Sequence, residues 1–118
     1  MPGNELGRWA ENRSLSYLKK QGLELIRKNF HGPSGEIDLI MKDNNTIVFI
    51  EVKCRTDNNF YHPVEAIDKN KCKKITSTGE YFLIKNRLSD AECRFDVILI
   101  TGNVKLHEIE WIKNAFQA

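Results

Sequence analysis

The sequence predicts an α/β fold in which a mixed central sheet is flanked by helices. Two segments have the apolar spacing of amphipathic helices, one near the amino terminus and one in the second half of the chain. Apolar, strand-sized segments lie between and after them, and two of these segments flank a polar turn. The elements therefore follow the order α-β-β-β-α-β-β, which is typical of a sheet covered by helices.

The length and composition fit one domain that spans residues 1–118. The chain has 118 residues, of which 41% are hydrophobic and 29% are charged. This length supports one hydrophobic core but not two. The net charge is only +2, so the overall charge alone makes no strong case for nucleic-acid binding.

No segment has the features of a membrane span or a signal peptide. The longest apolar run, Thr46 to Ile50, is of strand length, and no apolar stretch follows the first residues. The three cysteines, Cys54, Cys72 and Cys93, have spacings that fit neither a zinc site nor a redox pair. We therefore expect free thiols, no membrane partner and a cytoplasmic location.

The first helix is expected from Glu5 to Gln21. Asn4 is a good N-cap, Gly22 suits the position after the helix, and the apolar residues between them fall on one face. The next segment, 23–30, has the composition of a strand, and a break rich in glycine and proline follows it.

A hairpin comes next, with strands at about 35–42 and 46–54. Its polar turn is centred on Asn44-Asn45, which suits a two-residue connection. Counting outward from this turn places Leu39 opposite Ile50. The hairpin register can therefore be predicted by arithmetic from the turn alone.

The same register places two acids opposite each other. Asp38 is predicted to face Glu51, and Glu36 to face Lys53. Because strand side chains alternate between faces, all four share one face among apolar neighbours. Two opposed carboxylates in an apolar setting repel each other and resist desolvation, so the pattern indicates a cation between them.

A polar loop and a second helix follow the hairpin. The loop, 56–62, contains His62 and is expected to be a mobile segment near the acids. Pro63 suits the first turn of the second helix, which is expected to end near Asn86.

The last part of the chain adds two strands. The segment 94–100 is the first of them, Gly102-Asn103 signals a hairpin turn, and 104–109 is the second. Residues 110–116 are expected to form a short terminal helix or a frayed tail.

The acid pair has the ligand chemistry of a Mg²⁺ or Mn²⁺ site. Asp38 and Glu51 would hold the ion, and the backbone carbonyl of Val52 is a candidate third ligand. Lys53 lies on the same face and would stabilise charge that develops on a phosphate. The alternative is that both acids are solvated residues on an exposed sheet face. For Glu36, a plain ion pair with Lys53 is favoured over a role as ligand.

Other charged residues are candidates for the same site. Glu11, in the first helix, would reach the ion or its waters if that helix packs beside the hairpin, and is otherwise an ordinary surface acid. Lys71 lies on the flank of the buried stripe of the second helix, where it would extend to solvent or contact a phosphate. Arg8, Arg55 and Lys74 are candidate contacts for a nucleic-acid backbone, with a solvated charged face as the alternative.

The residues of the hairpin occur in a pattern that resembles the YraN family of bacterial proteins, also called UPF0102. The central match is Gly35-Glu36-Ile37-Asp38-Leu39-Ile40 followed by Val48-Phe49-Ile50-Glu51-Val52-Lys53-Cys54-Arg55. Further matches are Pro63-Val64-Glu65-Ala66-Ile67, Lys71, Arg94-Phe95-Asp96-Val97-Ile98 and Ile112-Lys113-Asn114-Ala115-Phe116. The resemblance covers nearly the whole chain, and Gly79 is a departure from it because the family usually has alanine there.

That family is similar to the PD-(D/E)xK nucleases, which include restriction endonucleases and archaeal Holliday-junction resolvases. The resemblance implies a restriction-endonuclease-like αβββαβ core. It assigns metal binding to Asp38 and Glu51 and the catalytic lysine role to Lys53. It also places the first-helix glutamate at Glu11 and the second-helix basic residue at Lys71.

The leading hypothesis is a Mg²⁺- or Mn²⁺-dependent endonuclease that hydrolyses phosphodiester bonds in DNA. Single-stranded or branched DNA is favoured over a specific sequence, because so small a chain has little surface for reading bases. DNA is favoured over RNA, and cutting two strands would favour a homodimer. The alternative is a catalytically silent nucleic-acid-binding module within a larger DNA-processing complex. A third hypothesis is an interaction domain in which the two acids lie on the surface.

Overall fold

A computed structural model describes residues 3–55 and 68–117 of the chain. Within these ranges there are two helices and five strands. The helices are α1, Gly3–Lys20, and α2, Lys69–Lys85. The strands are β1, Glu24–Gly32; β2, Gly35–Asp43; β3, Thr46–Arg55; β4, Cys93–Gly102; and β5, His107–Phe116.

The five strands form one mixed sheet in the order β1-β2-β3-β4-β5. β3 and β4 run parallel, and every other neighbouring pair is antiparallel. α2 lies between β3 and β4 in the chain, as expected for the crossover between two parallel neighbours. This architecture confirms the predicted α/β fold with a mixed sheet, and it is consistent with a restriction-endonuclease-like αβββαβ core.

The two helices cover opposite faces of the sheet. Successive side chains of β3 point to opposite faces, so Phe49 packs with Phe82 of α2, whereas Ile50 packs with Leu18 of α1. Because β3 is central and covered on both sides, its residues are apolar from Ile47 to Ile50. A charged side chain that is buried in this strand therefore needs a specific partner.

Gly79 lets α2 lie close to the aromatic layer of the sheet. A Cβ atom at this position would lie 3.1 Å from the ring of Phe49 and 3.2 Å from the ring of Phe95. Those two rings stack at 5.1 Å between centroids, which leaves little room for them to move apart. This close approach leaves little room for a side chain at position 79.

α1 begins two residues before the predicted start at Glu5 and ends one residue before the predicted end at Gln21. Gly22 adopts a φ of +100°, and the N–H of Leu23 donates to the carbonyl of Leu18 over 3.1 Å. These contacts satisfy the last turn of the helix.

No helix in the described part of the chain has both the length and the apolar character needed to cross a membrane.

α2 begins later than predicted. The backbone of Asp68 is extended, with φ −75° and ψ 170°, and its side chain accepts a 2.8 Å hydrogen bond from the N–H of Lys71. Asp68 is therefore the N-cap, and α2 begins at Lys69 rather than at the predicted Pro63, because the extended backbone and capping side chain of Asp68 mark the helix start there. The predicted polar loop 56–62 with His62, and the predicted helical positions 63–67, lie outside the described residues.

The carboxyl-terminal segment is a strand. β5 spans His107–Phe116, so the prediction of a short helix or a frayed tail at 110–116 was wrong. The turn before β5 is closed by a 2.8 Å hydrogen bond from the N–H of Asn103 to the carbonyl of Leu106. The fifth strand therefore begins three residues later than the predicted start at 104.

A bulge in β5 explains why its continuation through 110–116 was not predicted. The β4–β5 register shifts between Phe95 and Val97, and Asn114 adopts a φ of +52°. As a result, Ala115 and Phe116 both pack against the α2 side of the core, although they are adjacent in sequence. The alternation of apolar and polar residues is lost at the bulge, and with it the pattern by which strands are recognised.

The buried carboxylate of Asp96 stabilises this bulge through hydrogen bonds. It is 0% exposed and accepts hydrogen bonds from Arg94 Nε at 3.1 Å, Trp111 Nε1 at 2.9 Å and the N–H of Asn114 at 2.8 Å. Its negative charge and its lone pairs are thus matched by donors from β4 and β5. Asp96 therefore has a structural role in joining these strands.

Candidate metal and nucleic-acid site

The β2–β3 ladder ends just before the two acids. It runs from Asp43–Thr46 to Leu39–Ile50, which confirms the register predicted from the turn. The predicted direct pairing of Asp38 with Glu51 was wrong, because the ladder stops one residue short of it. Instead, Asp38 Oδ2 accepts a 2.9 Å hydrogen bond from the backbone N–H of Val52.

Asp38 and Glu51 nevertheless converge. Both line a cleft of about 270 Å³ that also has Glu11 of α1, Val52 and Lys53 in its wall. Glu51 is 6% exposed, and its carboxyl group lies close enough to that of Asp38 for the two to share a hydrogen bond. The structure thus brings together the five residues that the sequence nominated as catalytic or metal-binding.

The electrostatics of Glu51 follow from this crowding. Burial, and then the nearby charge of Asp38, raise the pKa of Glu51 from 4.5 to about 7, although the ammonium of Lys71 opposes the rise. A carboxyl group with such a pKa lacks enough positive charge around it to stay ionised easily. A cation bound beside Glu51 would therefore stabilise its ionised form.

Lys71 is the cation that Glu51 contacts in this structure. Its Nζ atom lies 3.3 Å from Glu51 Oε2. The charge of Glu51 is the main cause of a raised pKa for Lys71, which therefore stays protonated. From its position on the helix flank this side chain was expected to reach solvent or a phosphate, and its contact with the buried acid was not predicted.

Glu11 faces the same cleft from α1. Burial and the charge of Asp38 raise the pKa of Glu11, whereas a side-chain hydrogen bond with Asn29 lowers it. The predicted approach of the first-helix acid to the hairpin is thus seen in the structure. Glu11 adds a third carboxyl group to a site that is already rich in negative charge.

Glu36 and Lys53 do not pair. Glu36 lies opposite His31 in the β1–β2 register, and the two side chains are 3.3 Å apart between Oε2 and Nδ1. The predicted cross-strand pair of Glu36 with Lys53 was therefore wrong, because the β2–β3 ladder does not extend that far. Among the acids that the structure describes, none forms an ion pair with Lys53, which leaves its ammonium at the cleft wall.

Asn29 is a residue of the site that sequence analysis missed. It lies in β1, between residues paired with Leu39 and Ile37, and so is next to Asp38. Its φ is +50°, a conformation that asparagine tolerates better than most residues, and its side chain reaches Glu11. The only available signal was an asparagine inside an otherwise strand-like segment, which by itself does not indicate a site.

The other candidate basic residues lie outside the cleft wall. Arg8 is exposed on α1, next to the cleft residue Gly7, and Lys74 is exposed on α2. Arg55, at the end of β3, donates from Nε to Thr101 Oγ1 over 3.2 Å. These positions surround the site without entering it.

The donor set fits Mg²⁺ or Mn²⁺ better than a softer metal. Within residues 3–55 and 68–117 there is no group of three or more histidine, cysteine, aspartate and glutamate side chains arranged to hold an ion. The donors are the two carboxylates of Asp38 and Glu51, and Val52 lies in the same wall. One or two carboxylates, completed by waters and substrate phosphate oxygens, is how Mg²⁺ is commonly held.

Comparison with known proteins gives one consistent result. Residues 10–100 match the family described as Uncharacterised protein family UPF0102. The chain is 44% identical over 115 residues to a UPF0102 protein of Legionella pneumophila (strain Corby), covering 97% of this chain and 96% of that one.

Two further relatives have the same description. A UPF0102 protein of Coxiella burnetii (strain RSA 331 / Henzerling II) is 44% identical over 114 residues, covering 96% of this chain and 92% of the relative. One from Caldicellulosiruptor saccharolyticus is 41% identical over 118 residues, covering 98% of this chain and 100% of the relative. The likeness therefore extends over nearly the whole chain.

Proposed function

This chain belongs to the UPF0102 family, and we propose that it is a Mg²⁺- or Mn²⁺-dependent endonuclease that hydrolyses phosphodiester bonds in DNA. The observation that carries the proposal is the pair of acids, Asp38 and Glu51, which converge in one cleft beside the ammonium of Lys53. Asp38 also links β2 to β3 through one carboxylate oxygen, whereas Glu51 lies beyond the end of the β2–β3 ladder. Glu51 is buried beside the carboxyl group of Asp38, and such a pair calls for a cation.

Asp38, Glu51 and the carbonyl of Val52 would hold the ion. Asp38 is oriented by the N–H of Val52, so one of its oxygens is fixed and the other remains for a ligand. When bound, a divalent cation supplies a Lewis acid that lowers the pKa of a water and offsets the charge of a phosphate.

Lys53 and Glu11 would act on the substrate side of the cleft. The ammonium of Lys53 has no acid partner among the described residues, so it can stabilise negative charge that develops on the phosphate. Glu11, on the facing wall, would accept hydrogen bonds from the waters that surround the ion. The chain's own residues would thus orient the phosphate from one side and the waters from the other.

The substrate class follows from the size and charge of the site. The cleft of about 270 Å³ has room for a phosphodiester group. Arg8, Arg55, Lys71 and Lys74 would contact the backbone around it, and backbone contacts carry no sequence information. We therefore propose single-stranded or branched DNA as the target, with a homodimer where two strands are cut. A DNA substrate agrees with the cytoplasmic location expected from the sequence.

A cleavage screen tests the proposal. Labelled single-stranded, duplex, flap and four-way-junction DNA, and RNA, would be incubated with the protein in Mg²⁺ or Mn²⁺. We expect cleavage of one DNA class that falls by about a hundredfold or more in Glu51→Gln and in Lys53→Ala. Glu24→Gln and Lys42→Ala, exposed residues of β1 and β2, are matched controls that should cut normally.

Two results would contradict the proposal. One is cleavage that persists unchanged in folded Glu51→Gln and Lys53→Ala, which would place the reaction elsewhere or in a contaminant. The other is binding of the same substrates without cleavage and without dependence on Lys53. That second result would favour the nucleic-acid-binding module within a larger DNA-processing complex.

A further inference from the structure

The ion pair between Lys71 and Glu51 joins two very differently placed side chains. The side chain of Glu51 is 7% exposed, whereas that of Lys71 is 44% exposed, and their charged atoms are 3.3 Å apart. The acid is therefore fixed in the protein, while the ammonium reaches it from the solvent side. Only one member of this pair can leave without disturbing the core.

The backbone of Lys71 is anchored. Its N–H donates to the N-cap carboxylate of Asp68 over 2.8 Å, which holds the first turn of α2 in place. A change in the position of the ammonium therefore requires rotation of the side chain alone. The flexible four-carbon stem of lysine allows this rotation without moving the helix.

Lys71 is surrounded by more negative charge than it can neutralise. Its ammonium lies in the field of Glu51, Asp38 and Glu36. Lys53, the other lysine at the cleft, forms no ion pair with any acid that the structure describes. Lys71 thus carries out, with a single charge, the task that a divalent cation would perform with two.

We propose that Lys71 is a placeholder for the divalent cation: it pairs with Glu51 in the metal-free protein and turns to a substrate phosphate when the cation binds. A buried carboxylate without a partner is strongly destabilising, so the metal-free site needs this ammonium. At 3.3 Å the contact is longer than the 2.7–2.9 Å typical of strong charge-assisted hydrogen bonds, which makes it exchangeable. The proposal rests on the metal site of the proposed function, but not on cleavage.

The exchange links metal binding to DNA binding. An ion that binds to Glu51 displaces Lys71, and the displaced ammonium, which is partly exposed to solvent, becomes available to the DNA backbone. By reciprocity, a phosphate that captures Lys71 makes room for the ion. Lys71 should therefore oppose metal binding in the free protein and support DNA binding only when the metal is present.

Calorimetric titration tests the first half of this statement. Mg²⁺ would be titrated into the full chain and into Lys71→Gln, Lys71→Arg and Lys73→Gln, without DNA. Lys73 is exposed two residues further along α2, so its variant makes the same change of charge away from Glu51. We expect Lys71→Gln to bind Mg²⁺ about tenfold more tightly, and Lys73→Gln to stay within about twofold of the unmodified protein. Lys71→Arg, which keeps the charge, should not bind more tightly.

Fluorescence anisotropy with labelled single-stranded DNA tests the second half. The experiment would use Lys53→Ala protein to prevent cleavage, with and without Lys71→Gln. Saturating Mg²⁺ should reveal an affinity difference of about fivefold or more between the two proteins, and chelator should abolish that difference. A loss that is the same with and without Mg²⁺ would overturn the proposal, because Lys71 would then be an ordinary phosphate contact.

These outcomes distinguish the proposed role of Lys71 from the proposed nuclease activity. Tighter Mg²⁺ binding by Lys71→Gln together with no cleavage of any substrate would sustain the placeholder and refute the nuclease. Equal Mg²⁺ affinities for Lys71→Gln and Lys73→Gln, or no Mg²⁺ binding by any of the proteins, would overturn the placeholder. The first of these two results would leave the cleavage test to decide the nuclease separately.

Discussion

Two buried carboxylates in this protein have opposite surroundings. Asp96, at the β4–β5 bulge, is completely buried and accepts hydrogen bonds from a guanidinium, an indole N–H and a backbone N–H. Glu51, at the end of the β2–β3 ladder, is almost as buried but has one ammonium at 3.3 Å and a second acid beside it. Asp96 is fully partnered and holds the fold together, whereas Glu51 is short of positive charge and is suited to bind a cation.

Removing the partnered acid should produce the larger loss of stability. Asp96→Ala leaves the donors of Trp111 and Asn114 without their acceptor and takes one partner from Arg94. We expect the free energy of unfolding to fall by about 3–5 kcal/mol, measured by urea denaturation. Glu108→Ala, at an exposed position of β5, is the control and should change little. An equally small change in both variants would remove the contrast between the two acids.

Glu51, the acid with too little positive charge around it, should make the stability of the protein depend on pH. Because the pKa of Glu51 is raised from 4.5 to about 7, the folded protein retains a proton that the unfolded chain has already released between these values. Stability of the metal-free protein should therefore fall as pH rises from 4.5 to 7, by on the order of 3 kcal/mol from this group. Glu51→Gln should lose that part of the pH dependence.

Urea denaturation in chelator at several pH values measures this difference. Glu24→Gln, an exposed acid of β1, should keep the pH dependence of the unmodified protein. Parallel stability curves for Glu51→Gln and the unmodified protein would show that Glu51 is as well partnered as Asp96.

The smallest effect is expected at Asn29, which supports the site from β1. Its φ of +50° is unfavourable for alanine but acceptable for glycine, and both substitutions remove the side chain that reaches Glu11. We expect Asn29→Ala to be about 1 kcal/mol less stable than Asn29→Gly in thermal denaturation. Equal stabilities would mean that the backbone at this position relaxes when the side chain is removed.

The site could be predicted from sequence as far as the hairpin ladder extends. The Asn44-Asn45 turn fixes the pairing as far as Leu39 and Ile50, and this count brought Asp38 and Glu51 to the same place. Beyond that pair, the backbone N–H of Val52 donates to the side chain of Asp38 in β2 rather than to the backbone of that strand. Counting residues cannot predict that a side-chain acceptor replaces a backbone acceptor. For this reason the predicted pairing of Glu36 with Lys53 was wrong.

Contacts between distant segments were harder to predict. Lys71 was recognised as a flank residue of its helix, but its contact with Glu51 depends on how α2 lies across the sheet. That position depends on the close approach of Gly79 to the rings of Phe49 and Phe95. The second half of the terminal strand was missed for a related reason, because the bulge at Asn114 removes the alternation that local patterns require.

The parallel pairing of β3 with β4 has a consequence for synthesis of the chain. The strand that carries Glu51 acquires its second neighbour only when Ile47 meets Cys93, far along the sequence. Until the ribosome has released β4, the apolar segment from Ile47 to Ile50 is an open edge that can pair with another chain. Prematurely terminated chains should therefore aggregate, whereas the complete protein covers this strand on both sides.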